Sequence, residues 1–262
     1  MSLTLDIGAT GMLAQQLNVD VISNNIANMT TTGFKRQRAE FQDLLYQTKL
    51  RPGSASSDTG TIVPAGIQMG LGVRAGSVYR INEQGAMQLT DNKFDLGVIG
   101  NGHFQVTLPS GDTAYTRDGS FQLNQNGEMV TSEGYLVQPG ITIPADAVDI
   151  TINNSGQVLV KIQGQIQLSN VGQLQLASFA NEAGLDAVGD NLFLETEASG
   201  AAVVGNPEQP GFGKIEQGAL ETSNVNIVSE MTNMIQAQRA YEMNSKVIQT
   251  GDEMLGTISQ MR

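Results

Sequence analysis

The sequence predicts an elongated protein in which a mainly β body sits between N- and C-terminal α-helices that form a coiled-coil-like pair. Three observations point there. All seven prolines of the 262 residues fall between Pro52 and Pro210, which leaves both ends free of the strongest helix breaker. Each end spaces its apolar residues in heptad-like steps. The middle changes to period-two alternation punctuated by Gly and Asn, and the chain holds 30 glycines.

From about Thr4 to Asn28, the residues Leu5, Met12, Val19, Ile22, Ile26 and Met29 follow steps of seven, seven, three, four and three. Gly8 and Gln15 fall on the same seam and weaken it as an isolated helix, Gly by about 1 kcal/mol. Thr30-Thr31-Thr32-Gly33 reads as the stop. The last helix begins at Thr222-Ser223-Asn224, residue types that cap helix N-termini, and meets no breaker until Gly251. Ile227, Met231, Met234, Tyr241, Ile248 and Leu255 line one side, interrupted by Gln238, Ser245 and Asp252. Val228, Ile235, Val247, Met254, Ile258 and Met261 widen that stripe, a width that suits more than one neighbour. The two helices can pack on each other and still present an outer stripe to other subunits. Continuous helices over 4–28 and 225–262 would span about 37 and 57 Å.

Between the helices, Phe121 to Val130 is a hairpin signal around Asn126-Gly127. Val158 to Ile162 and Gln173 to Ala177 read as further strands. Residues 46–66 differ from both flanks: Pro52-Gly53-Ser54-Ala55-Ser56-Ser57 is linker-like and Thr61-Ile62-Val63 strand-like, so the stretch reads as an extended insert joining helix to body.

Charge is unevenly placed. Residues 71–224 carry 17 acids and six bases of a chain whose net charge is −12, while the flanking segments are close to neutral. An acidic middle disfavours nucleic acid and keeps like copies apart, so the near-neutral ends are the parts suited to self-association. The Lys35-Arg36-Gln37-Arg38 cluster is too small for a nucleic-acid face and reads as a solvated or subunit-pairing patch.

The catalytic and ligand motifs are weak. With no Cys and a single His, thiolate zinc sites and His-rich metal sites are excluded, and His103 reads as a partly buried strand residue. Gly100-Asn101-Gly102 lacks the third glycine of a dinucleotide fingerprint and reads as a tight turn. Asn124, Asn126, Gly127 and Glu133 partly mimic a calcium loop, but Gln122 stands where Asp is expected and the flanks are strands. No cofactor, no metal and no enzymatic activity are expected. No signal-like segment and no run of 18 apolar residues is present.

Several stretches resemble one family, the bacterial flagellar axial proteins of rod and hook. They are Gly11-Met12-Leu13-Ala14-Gln15-Gln16, Ile22-Ser23-Asn24-Asn25-Ile26-Ala27-Asn28 and Thr32-Gly33-Phe34-Lys35 near the start. In the body they are Phe94 to Gly102 and Tyr115 to Phe121. Near the end they are Leu220 to Asn226, Met231 to Glu242 and Ile248 to Leu255. The length and the Leu44-Leu45-Tyr46-Gln47-Thr48 insert resemble a rod-forming member rather than the longer hook protein.

The resemblance implies a structural subunit of the distal segment of the rod, polymerising into a helical tube that transmits torque from motor to hook. It implies as partners copies of the chain itself, proximal rod proteins, the hook protein, the surrounding bushing ring and the flagellar type III export apparatus. It implies a basal-body location spanning the periplasm, reached without a cleavable signal peptide. On this reading residues 1–30 with 225–262 form a terminal helical assembly domain, 31–70 with 216–224 a connector and insert, and 71–215 a β-rich outer domain. The expected subunit interface comprises Met12, Val19, Ile22, Asn25 and Ile26 from the first helix, and Met231, Met234, Ile235, Gln238, Arg239, Tyr241, Ile248 and Leu255 from the last. Tyr46, Pro52, Ile62 and Val63 mark the insert expected to confer rigidity. Another rod or hook paralogue and a surface β-rich adhesin are the alternatives, the adhesin leaving the paired terminal seams unexplained; a periplasmic carbohydrate hydrolase would require a carboxylate pair in a cleft.

Overall fold

The computed structural model describes residues 3–51, 65–163 and 167–260. Among them the chain is mainly β, with one long α-helix near each end. It divides into two compact units, one drawn from Met1–Ile26, Gln37–Tyr79 and Ile227–Arg262, the other from Ala27–Arg36 and Arg80–Asn226.

The first unit holds α1 (Leu3–Ala27) and α2 (Ile227–Gln260). Both are Pro-free and carry an acid in the first turn, Asp6 and Glu230, where the helix dipole favours negative charge. After α1 the amide of Thr31 closes a turn onto the Asn28 carbonyl, and Gly33 takes the left-handed conformation at φ 67°. The helices lie antiparallel. Leu5 faces Gly251, Gly8 faces Ile248, Gly11 faces Asn244, and Asn25 meets Glu230. A Cβ on Gly8 would stand 2.7 Å from Ile248 Cγ1, and one on Gly11 2.8 Å from Asn244 Nδ2.

Leu5 and Gly8 of the expected seam thus lie against α2. The buried residues of α1 are Gly8, Ala14, Val21, Ile22 and Asn25, whereas Met12 and Val19 are half-buried. α2 also runs through Gly251 without a break, because the glycine is a contact point for Leu5 and not a stop. Two strand pairs accompany the helices, Gln37–Asp43 with Val73–Arg80, and Tyr46–Leu50 antiparallel to Ile67–Gly70.

The second unit is the β body. Its largest sheet runs in the order Asp186–Gly189, Leu192–Leu194, Thr113–Thr116, His103–Thr107, Leu136–Val137, Met129–Val130, Gln122–Leu123. Leu176–Ser178 joins the same sheet at His103–Phe104 and carries Val203–Gly205. A second, three-stranded sheet is Ala147–Ile152, Gln157–Ile162, Ser169–Gln173. Two further ladders bring the C-terminal part of the body home: Lys214–Gln217 on Leu96–Ile99, and Ala219–Glu221 on Met87–Leu89. Inward-pointing residues make a main core, with Phe104 and Phe121 edge-on at 5.1 Å among Leu96, Met129, Val158, Leu176 and Ile215, and a smaller one of Tyr115, Ala177, Phe179 and Leu185.

The hairpin around Asn126-Gly127 and the strand at Val158–Ile162 form as predicted. Gln173 to Ala177 does not form one strand. Gln173 ends one and Leu176 begins another, because the amide of Leu174 turns to the Gly156 carbonyl and its side chain drops into the core.

Candidate assembly surface

In the helical unit, α2 has two apolar stripes. One meets α1 at Asn244, Ile248 and Gly251, and Ala237 is buried. The other looks outward: Val228 is 76% exposed, Met231 55%, Ile235 51%, Met243 61% and Met254 56%. Leu13 extends the exposed apolar surface on α1. A run of this length on a single helix exceeds the scattered apolar residues normal for a protein surface.

The interface residues expected from the sequence therefore separate into groups. Ile22 and Asn25 are buried inside the chain itself. Met12, Val19, Ile26, Met234 and Ile248 are half-buried, and Met231, Ile235, Gln238, Arg239, Tyr241 and Leu255 are exposed. Asn25 has a specific internal role. Its Oδ1 accepts from the Gln37 amide at 2.8 Å, its Nδ2 donates to the Gln37 carbonyl at 2.8 Å, and the same nitrogen donates to Glu230 Oε2 at 3.2 Å. One carboxamide thus acts as a strand partner for Gln37 and ties α1 to α2, each polar group at a buried position satisfied by another. Of the insert residues, Tyr46 lies in an exposed strand beside the exposed Leu45, Leu50 and Ile67. Pro52, Ile62 and Val63 lie outside the described residues.

The β body holds a feature that the sequence reading missed. Lys35 is buried, not part of a solvated basic patch. Its ammonium donates to Glu221 Oε1 at 2.6 Å and to the Glu83 carbonyl at 2.9 Å, and Gly85 donates its amide to the same Oε1 at 2.8 Å. Arg117 adds a second cation, its Nε 3.6 Å from Glu221 Oε2 and its Nη2 donating to the Gly100 carbonyl at 2.7 Å. Burial lowers the Lys35 pKa, opposed by the hydrogen bond and charge of Glu221. Nearby, Asn224 accepts from the Arg36 amide at 2.7 Å and donates to the Ile81 and Glu83 carbonyls. No local motif announces these pairs; only the fold joins residues so far apart in sequence.

His103 is buried in its strand, edge-on to Phe179 and Phe193. Desolvation, with the Arg117 and Lys35 charges, pushes its pKa down to about 3, so it is neutral at pH 7. The calcium-like residues form the hairpin turn instead: Asn124 Oδ1 accepts from the Asn126 and Glu128 amides, both at 2.9 Å. Gly100-Asn101-Gly102 links two strands with no helix after it. Among the described residues no His, Cys, Asp and Glu cluster is placed to hold a metal ion, and no helix is long and apolar enough to cross a membrane.

Three family profiles match consecutive parts of the chain. Residues 5–35 match the flagella basal body rod protein family, residues 97–160 the flagellar hook protein FlgE/F/G D1 domain, and residues 216–261 the flagellar basal body rod FlgEFG protein C-terminal family. A flagellar basal-body rod protein FlgG of Caulobacter vibrioides is 64% identical over 258 residues, covering 98% of each chain. The chain belongs to the flagellar basal-body rod protein family. The FlgG of Agrobacterium fabrum is 53% identical, again over 98% of both chains. More distant is the flagellar hook-basal body complex protein FlhP of Bacillus subtilis, 30% identical over 94% of each. The two terminal profiles cover most of α1 and α2, the helices that carry the exposed apolar residues, and the third lies in the β body.

Proposed function

We infer that the chain is a structural subunit of the flagellar distal rod, polymerising through its terminal helices into a helical tube that carries torque from motor to hook. The observation that carries this reading is the outward stripe Val228, Met231, Ile235, Met243 and Met254 on α2, left uncovered while the opposite side of the helix packs on α1. Burying an apolar side chain of this size contributes about 1.5–3 kcal/mol, and a repeated head-to-tail contact of identical subunits that does not close on itself produces a filament. The role is mechanical and not enzymatic.

In the assembled state the pair α1 and α2 is coiled-coil-like and the subunit elongated. Residues 1–30 with 225–262 serve as the assembly domain, 31–70 with 216–224 as connector, and 71–215 as the outer domain, whose acidic charge keeps neighbouring bodies apart. The contact surface comprises Met12, Val19 and Ile26 at the rim with Met231, Met234, Ile235, Gln238, Arg239, Tyr241, Ile248 and Leu255; Ile22 and Asn25 support it from inside. The segment around Tyr46, Pro52, Ile62 and Val63 lies against a neighbouring copy and stiffens the tube. Proximal rod proteins, the hook protein, the bushing ring and the type III export apparatus are its further partners, and the basal body across the periplasm is its place. Electron microscopy of concentrated protein tests the reading: straight tubular filaments are expected, and protein that stays monomeric at high concentration contradicts it.

A further inference from the structure

The chain has 11 methionines, and the fold grades them by exposure. Met129 is 0% exposed in the core of the β body, and Met12, Met69, Met87 and Met234 are half-buried. On α2, Met231, Met243 and Met254 are each more than half exposed, well above Met29 at 38%. Three of the five side chains in the outward stripe Val228, Met231, Ile235, Met243 and Met254 are therefore thioethers. Met243 and Met254 are three helical turns apart, so they stand on one line along α2, separated by about 16 Å. Val228 and Ile235, their neighbours in the stripe, offer no hydrogen-bond donor in their side chains.

We propose that Met231, Met243 and Met254 are an oxidation site of the free subunit, and that their conversion to sulfoxides by a peroxide stops assembly. The proposal rests on the outward side of α2 being the subunit contact. The thioether sulfur attacks one oxygen of hydrogen peroxide. The S–O bond forms as the O–O bond breaks, the sulfur is oxidised by two electrons, and the proton on the transferred oxygen passes to the departing hydroxide, which leaves as water. Access to the sulfur governs the reaction, so the α2 methionines lead and Met129 is spared. The product is a polar group whose new oxygen accepts hydrogen bonds from water. A surface that has to shed water to meet a second copy then buries that oxygen with no donor beside it, a cost the flexible, apolar thioether does not carry. The same contact covers the sulfurs once it has formed, so assembly and oxidation compete for the free subunit.

The test treats the full chain as free subunit with limiting hydrogen peroxide, removes the peroxide, raises the concentration to form filaments, and sediments them. Peptide mass spectrometry then reads the added oxygen at each methionine in pellet and supernatant. Sulfoxide at Met231, Met243 and Met254 is expected in the supernatant and depleted from the pellet, with Met129 unmodified in both. The triple variant Met231→Leu, Met243→Leu, Met254→Leu keeps the apolar volume of the stripe and should still form filaments after a peroxide dose that abolishes those of the unchanged chain. Equal sulfoxide at the three residues in pellet and supernatant overturns the proposal, and this comparison decides even where the triple variant does not assemble. Loss of the triple variant's filaments to the same dose assigns the effect to other methionines and overturns it as well. Filaments that form regardless of these sulfoxides strike this inference alone, whereas an untreated chain that never forms filaments strikes the assembly reading beneath it.

Discussion

Lys35 Nζ lies 2.6 Å from Glu221 Oε1, two residues 186 positions apart in sequence, with their side chains 5% and 0% exposed. The pair joins the segment that follows α1 to the last strand of the body, so the buried charge of either residue is uncompensated until the other arrives.

Replacing one partner is therefore expected to be far worse than replacing Lys35, Arg117 and Glu221 together. Glu221→Gln leaves two buried cations on a neutral amide and should cost about 3–5 kcal/mol in denaturant unfolding of the β body. The triple variant Lys35→Met, Arg117→Met, Glu221→Leu should recover most of that loss. Equal destabilisation by single and triple variants contradicts the assignment.

His103 sets an acid limit. Its folded pKa of about 3 lies below the unfolded value of 6.5, so the unfolded chain binds the proton first. Its contribution to stability is complete above pH 6.5, falls by about 1.4 kcal/mol per pH unit below that, and levels off near pH 3. The Arg117 and Lys35 charges that face the ring strengthen the effect. His103→Phe, which keeps the ring contacts to Phe179 and Phe193, should flatten the slope of stability between pH 4 and 6; an unchanged slope assigns acid sensitivity to other groups.

The helix contact is set by glycine. Gly8→Ala should destabilise the helical unit by about 1–3 kcal/mol despite alanine's better helix propensity, because the new methyl meets Ile248 Cγ1 at 2.7 Å. Thermal melting followed by far-UV circular dichroism reads this, and a raised melting temperature would show that the helices part without cost.

Assembly is separable from folding at Ile235, 51% exposed on the outer stripe. Ile235→Asp should abolish filaments in the electron microscope and leave the near-UV spectrum of the β body unchanged. Normal filaments from this variant rule out the outer face of α2 as the subunit contact.

Deleting residues 46–66 removes the strand Tyr46–Leu50, the partner of Ile67–Gly70. Curved or flexible rods are the expected result. Straight rods of unchanged stiffness, measured from filament curvature, exclude the segment as the stiffening element.

The amino-acid sequence determined the class of every long element. Proline confined to the middle, heptad-like steps at both ends and alternation around Asn126-Gly127 are local signals, and local signals suffice for helices, hairpins and the acidic character of the body. The family was also legible, since its motifs at Ile22 to Asn28 and Met231 to Glu242 are contiguous. The helix faces were not. Periodicity shows that a helix has an apolar stripe but not which residues its partner approaches most closely, and on α1 Leu5, Gly8 and Gly11 meet α2 while Met12 and Val19 are only half-buried. The Lys35–Glu221 pair was equally out of reach: Lys35 stands in a basic run that reads as solvated, and Glu221 is one of 26 acids. Only the tertiary structure could choose that acid for that base, because the energy of an ion pair depends on distance and burial, and neither is a property of residues 186 positions apart until the chain has folded.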